Sequence, residues 1–154
     1  MNVSKRAISK IAVFALLISV LSGCLLAPTI ESVKKAGFTE GDREAIFATD
    51  LQSMIDDMRW GKANLVIDRV QADVQPTLAP KIRAFLRKKK IVDLTIDNVV
   101  WQDDAYSATV DLVVKSYDPA VSIIDESPMH MEWIFSLVDG WKLVDMKPQG
   151  PAQG

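Results

Sequence analysis

The chain has 154 residues, with 18 basic and 20 acidic side chains, a formal net charge of −2 and a single cysteine. That length suits one domain. The slightly acidic balance excludes a general nucleic-acid binder, and a lone thiol excludes any internal disulfide. There is no Cys/His cluster of metal-ligand spacing, no glycine-rich phosphate loop and no serine elbow, so neither metal nor cofactor is expected.

The first ten residues carry Lys5, Arg6 and Lys10 and no acid, and an apolar run from Ile11 to Leu21, broken only by Ser19, follows. Basic, then apolar, then small is the order of a secretory signal. The run is short for a bilayer span, which needs about 20 apolar residues; reading on to Ala27 would make a marginal span ending at Pro28. Leu21-Ser22-Gly23-Cys24 resembles the lipobox of bacterial lipoproteins at every position. The resemblance implies that the Cys24 sulfur receives a diacylglyceryl group and that the chain is cut between Gly23 and Cys24. A membrane-anchored protein of the cell envelope would result, since two or more acyl chains hold stably where one does not. Leu25 in place of an acid after the cysteine implies the outer membrane, with the domain facing the periplasm. On this reading 1–23 is signal peptide and 24–38 a lipidated tether containing Pro28, Thr29, Ser32 and Gly37. Losing the signal leaves 15 basic against 20 acidic residues, and six of those 15 lie between Lys81 and Lys90.

Residues 39–60 read as an amphipathic helix, with Phe47, Leu51, Met54, Ile55 and Met58 on one face. Thr39 with Asp42 imitates a capping box, and Gly61 stands where a helix ends. A second helix is expected from Lys62 to about Gln71, with Leu65, Val66 and Val70 inward. Pro76 and Pro80 bracket a turn or a first helical turn before a third face of Ile82, Phe85 and Leu86. The run RKKKI, Arg87 to Ile91, ends that helix, where cations complement its dipole. A tethered domain could also turn such a run toward anionic lipid.

From Ile91 the period becomes alternating. Val92, Leu94 and Ile96 alternate with polar residues, and the phase slips near Asn98, the place for a bulge. A second strand carries Tyr106, Ala108, Val110, Leu112 and Val114 on one face. Asp139-Gly140 marks a two-residue type I′ hairpin, which pairs Val138 with Trp141, Ser136 with Leu143 and Phe135 with Val144. That register makes Met129, Met131, Trp133 and Phe135 core. It groups Ile134, Val138, Trp141 and Leu143 on the opposite face, a candidate interface for a homodimer or an envelope protein. The tail, 147–154, lacks bulky apolar residues and is expected to be disordered.

Helices followed by an antiparallel sheet, with "MRWGKANLVIDRV", "DDAYSATVDLVV" and "MEWIFSLVDGWKLVDM", resemble the NTF2-like (cystatin-like) superfamily over 39–146. The resemblance implies an α+β fold in which N-terminal helices pack on a curved antiparallel sheet to form a cone. An α+β sandwich is the alternative. The candidate pocket is lined by Phe47, Leu51, Phe85, Leu94, Tyr106, Val110 and Phe135, almost wholly carbon, and would take a small apolar ligand. His130 is the only histidine and falls on the mixed face beside Glu132. The domain is therefore expected to bind or assemble without catalysing. The alternative is a small cavity enzyme, an isomerase or dehydratase, using Tyr106, Asp97 or His130.

Overall fold

The computed structural model describes residues 36–148. The signal segment, Cys24, nearly all of the tether and the last tail residues lie outside them. Helix α1 spans Glu40–Arg59. Its N-cap is Thr39, whose hydroxyl accepts from the Asp42 amide at 3.2 Å and donates to the Asp42 carboxylate at 2.6 Å. Asp is one carbon too short to reach back to the Thr39 amide as a full capping box would. The expected face of Phe47, Leu51, Met54, Ile55 and Met58 is buried.

The next segment corrects the expectation. Helix α2 is only Ala63–Ile67. Val66 is buried, whereas Leu65 faces out. After α2 the chain extends and Val70 makes a parallel bridge to Leu143. The Gln71 amide donates to the Leu143 carbonyl and the Leu143 amide to the Arg69 carbonyl, both at 2.9 Å. Helix α3 spans Gln75–Lys88, longer than expected, with both prolines inside it. Pro76 sits in the first turn, where no amide partner is needed. Pro80 is one turn further in.

Four strands follow, β1 Lys90–Gln102, β2 Ser107–Tyr117, β3 Ile124–Ser136 and β4 Gly140–Pro148, in the order β1-β2-β3-β4, every neighbour antiparallel. β4 thus takes in Lys147 and Pro148, the start of the expected tail. β1 and β2 slip in register between Ile96 and Asn98, leaving Asp97 as the extra residue, and again between Ile91 and Asp93. The first slip falls where the alternation of the sequence breaks. Ala108, Val110, Leu112 and Val114 of β2 face the core as expected, but Tyr106 precedes the strand and is 43% exposed.

The last hairpin departs most from the expected register. A type I′ turn needs positive φ at both central residues, and of Asp139 and Gly140 only the glycine has it, at 70°. The connection is three residues, Leu137 to Asp139, closed by a pair between Ser136 and Gly140. The Asp139 amide is satisfied by the Ser136 hydroxyl at 2.9 Å. Phe135 consequently faces Trp141, and Trp133 faces Leu143. A one-residue slip turns side chains to the other face of a sheet. Trp141 and Leu143 are accordingly in the core, 3% and 0% exposed. One residue, Val144, is then skipped between the Trp133–Leu143 and Glu132–Asp145 pairs, so Met146 also faces inward, opposite Met131.

Candidate functional site

The residues expected to line a pocket are core. Phe47, Leu51, Leu94, Val110 and Phe135 are buried in one hydrophobic cluster with half-buried Phe85 against it. The space between α1 and the sheet is occupied by rings. Phe47 stands edge-on to Trp101, Trp133 and Trp141, with centroids 5.0, 5.5 and 4.7 Å away. Phe135 lies 5.5 Å from Trp141 and 6.1 Å from Tyr106. Edge-to-face packing at these distances is favourable beyond simple burial. Trp141 Nε1 donates to the Arg43 carbonyl at 2.9 Å, fixing the indole. Trp133 Nε1 is buried and finds no hydrogen-bond partner among the described residues.

The expected four-residue interface does not form a single face, because the hairpin slip takes Trp141 and Leu143 inward. Ile134 and Val138 remain outside, 36% and 91% exposed. Around them the same end of the sheet exposes Phe38, Tyr106 and Leu137.

His130 points away from the core, as its place on the mixed face predicts. Its Nδ1 lies 2.7 Å from Asp111 Oδ1 and its Nε2 3.8 Å from Glu132 Oε1. The two carboxylates flank it on the outer face of the sheet, opposite the aromatic interior. An imidazole oriented by a carboxylate can act as a base, but this one lies on a strand surface, with β2 on one side and β4 on the other. Asp97 is exposed at the β1 bulge. The Tyr106 ring lies under the Arg43 guanidinium, 4.0 Å from its carbon. Among the described residues no group of three or more His, Cys, Asp or Glu is placed to hold a metal.

Two buried charges were not anticipated. Arg43, 4% exposed, donates to the carbonyls of Gly37, Phe38 and Ala105 at 3.0–3.1 Å and to that of Asp104. The β1–β2 turn presents the Asp104 and Ala105 carbonyls by taking Asp103, Asp104 and Ala105 through positive φ. Arg43 thereby ties the start of α1 to the far end of the first hairpin. Asp57, 6% exposed, pairs with Arg69 at 2.8 Å and Lys62 at 3.4 Å. Their positions carry a signal, since Arg43 is four residues before Phe47 and Asp57 three after Met54, on the buried stripe of α1.

No protein-family model and no curated protein sequence matches the chain. Solved structures do. A substituted variant of Rd1NTF2_05 superposes with a TM-score of 0.56 at 14% identity, over 69% of this chain and 99% of that one. RPA3114, a SEC-C motif containing protein from Rhodopseudomonas palustris, superposes with a TM-score of 0.54 at 7% identity, over 66% of this chain and 77% of that one. The fold is α+β, helices packed on a four-stranded antiparallel sheet, with an NTF2-like neighbour.

Proposed function

We propose that the protein is a lipoprotein of the cell envelope, held to the membrane through Cys24 and displaying a domain that binds or assembles without catalysing. One observation carries the non-catalytic half. The interior behind the sheet is packed with the protein's own aromatic rings, while His130, Tyr106 and Asp97 lie at or outside its surface. The anchoring half is supported by Leu21-Ser22-Gly23-Cys24 behind its basic and apolar leader. Contact with an envelope partner or a second copy falls to the exposed end formed by Phe38, Tyr106, Ile134, Leu137 and Val138.

Labelled palmitate tests the anchor. Wild-type protein should take up the label and fractionate with outer membranes, and Cys24→Ala should lose both properties. Label persisting on the Cys24→Ala chain would sink the proposal, because no other thiol exists to form the thioether. For assembly, Val138→Asp should abolish any self-association or partner capture seen with wild type. Unchanged sedimentation of a wild-type complex after that substitution would place the contact elsewhere.

A further inference from the structure

The end of the domain opposite the Arg43 junction combines exposed apolar prongs with most of the unpaired positive charge. Helix α1 delivers Arg59 and Trp60 there, and α3 delivers the run ending at Lys90. Two clefts meet at Gly61. One, of about 210 Å³, is lined by Arg59, Trp60, Lys89 and Lys90 among others; its neighbour, of about 390 Å³, by Lys62, Leu65 and Arg83 among others. Trp60 is 74% exposed, although its three fellow tryptophans pack round Phe47.

Strand pairing brings a second prong alongside. Lys90 pairs with Tyr117 and Tyr117 with Ile124, so the β2–β3 turn emerges beside the basic run. That turn exposes Val121, Ile123 and Ile124, each more than half accessible. Most local carboxylates are engaged, Asp93 with Arg59, Asp125 with Lys89, Glu126 with Lys115 and Asp57 with Lys62 and Arg69, while Asp118 at the base of the turn accepts the Ala120 amide at 2.9 Å and pairs with no cation among the described residues. Among the described residues Arg83, Arg87, Lys88 and Lys90 make no ion pair.

We propose that this end docks on the surface of a bilayer rich in anionic phospholipid, with Trp60 and the Val121–Ile124 turn entering the headgroup layer and the surrounding cations meeting phosphates. The fold supplies what such a surface selects: an indole able to bridge apolar and wet layers, separate aliphatic prongs, and cations whose attraction needs only a sheet of negative charge. An acidic protein would satisfy the cations but leave two separated prongs without a pocket each. The docking does not depend on Cys24. From 24 to 37 the extended chain reaches about 45 Å at most, more than the length of α1, about 30 Å for its 20 residues. An anchored domain can therefore lay either end on the membrane.

The test uses the full chain with vesicles of phosphatidylcholine alone or mixed with phosphatidylglycerol, each carrying shallow brominated acyl chains that quench nearby tryptophan. On anionic vesicles the emission of Trp60 should shift to the blue and be quenched; on neutral vesicles it should do neither. Trp60→Phe should remove that response. Lys88→Glu with Lys90→Glu should abolish it while the near-ultraviolet dichroism of buried Trp133 and Trp141 stays intact. Should the double reversal fail to fold, raised salt on wild type should release the quenching. Equal quenching on both vesicle types, no quenching on either, or insensitivity to salt would overturn the proposal. So would a response of Trp60 to polyglutamate but not to anionic vesicles, which would assign the surface to an acidic protein. An anchored chain sits on both vesicle types and an unanchored one binds only the anionic type, so this outcome is separable from that of the palmitate experiment.

Discussion

Arg43 is a full positive charge answered by the face of the Tyr106 ring and by four carbonyl dipoles, drawn from two segments far apart in sequence. Its removal would leave buried acceptors unpaired, each costing about 1–3 kcal/mol. Arg43→Met should therefore lower unfolding free energy by about 3 kcal/mol or more in urea titration. Arg43→Lys should recover little of it, since an ammonium lacks the planar fork. Gly37, one of the residues Arg43 holds, has φ of 68°, and a Cβ there would lie 2.5 Å from Phe135 Cζ. Gly37→Ala should cost about 2–4 kcal/mol, combining left-handed backbone with overpacking. Two carboxylates should titrate in opposite directions. Asp145 is held below 3.8, first by the hydrogen bond from Lys147, whereas burial raises Asp50 above 3.8 against the pull of Arg69 and Lys142. Stability contributed by Asp145 is present above 3.8 and lost as pH falls through its lower folded value. The penalty at Asp50 acts at neutral pH and is gone below 3.8, where both states are protonated. Asp50→Asn should therefore stabilise at neutral pH, by tenths of a kcal/mol given its partial exposure, and make no difference in acid. Denaturation at the two pH values checks this.

At the level of the hairpin, two residues that alternation placed together behave as opposites. Leu143→Ala should cost about 2–5 kcal/mol, as truncation of a fully buried leucine does. Val138→Asp should fall within about 0.5 kcal/mol of wild type. Equal effects would restore the type I′ register. The helix α1 was legible because five apolar residues repeat on one stripe and nothing interrupts them. The bulge in β1 was legible for a similar reason, a visible break of phase before Asn98. The β4 slip left the same trace in Trp141, Leu143 and Met146, spaced two and then three. It was masked by the Asp139-Gly140 pair, whose preference for a tighter turn outweighed the apolar count. α2 ended early because the Arg69 carbonyl and the Gln71 amide bond Leu143 of β4, and no local pattern records a partner more than 70 residues away. Of the site, the outward aim of His130 was legible from alternation. The gathering of three indoles round Phe47 was not, because Trp141 turns inward only once the slip is known.

Among the described residues the sheet is a meander, so every strand pair is local in sequence, and it is the helical half, with residues 69–71, that brings distant segments together. One edge, β4, is partly covered by residues 69–71. The other, β1, has no strand beyond it among the described residues, and its two register slips distort the row of backbone groups that a second chain would need for pairing. The covered edge has a kinetic side. Hairpins such as β2–β3 can form early, because little chain is immobilised in closing them. The docking of Val70 against Leu143 closes a far longer loop and cannot begin until the last strand is in place. It should therefore come after the rate-limiting barrier. Val70→Ala is expected to accelerate unfolding and leave refolding nearly unchanged in a stopped-flow chevron, whereas Val110→Ala should slow refolding. On this view the helical half waits, amphipathic and uncommitted, for the final strand to hold it.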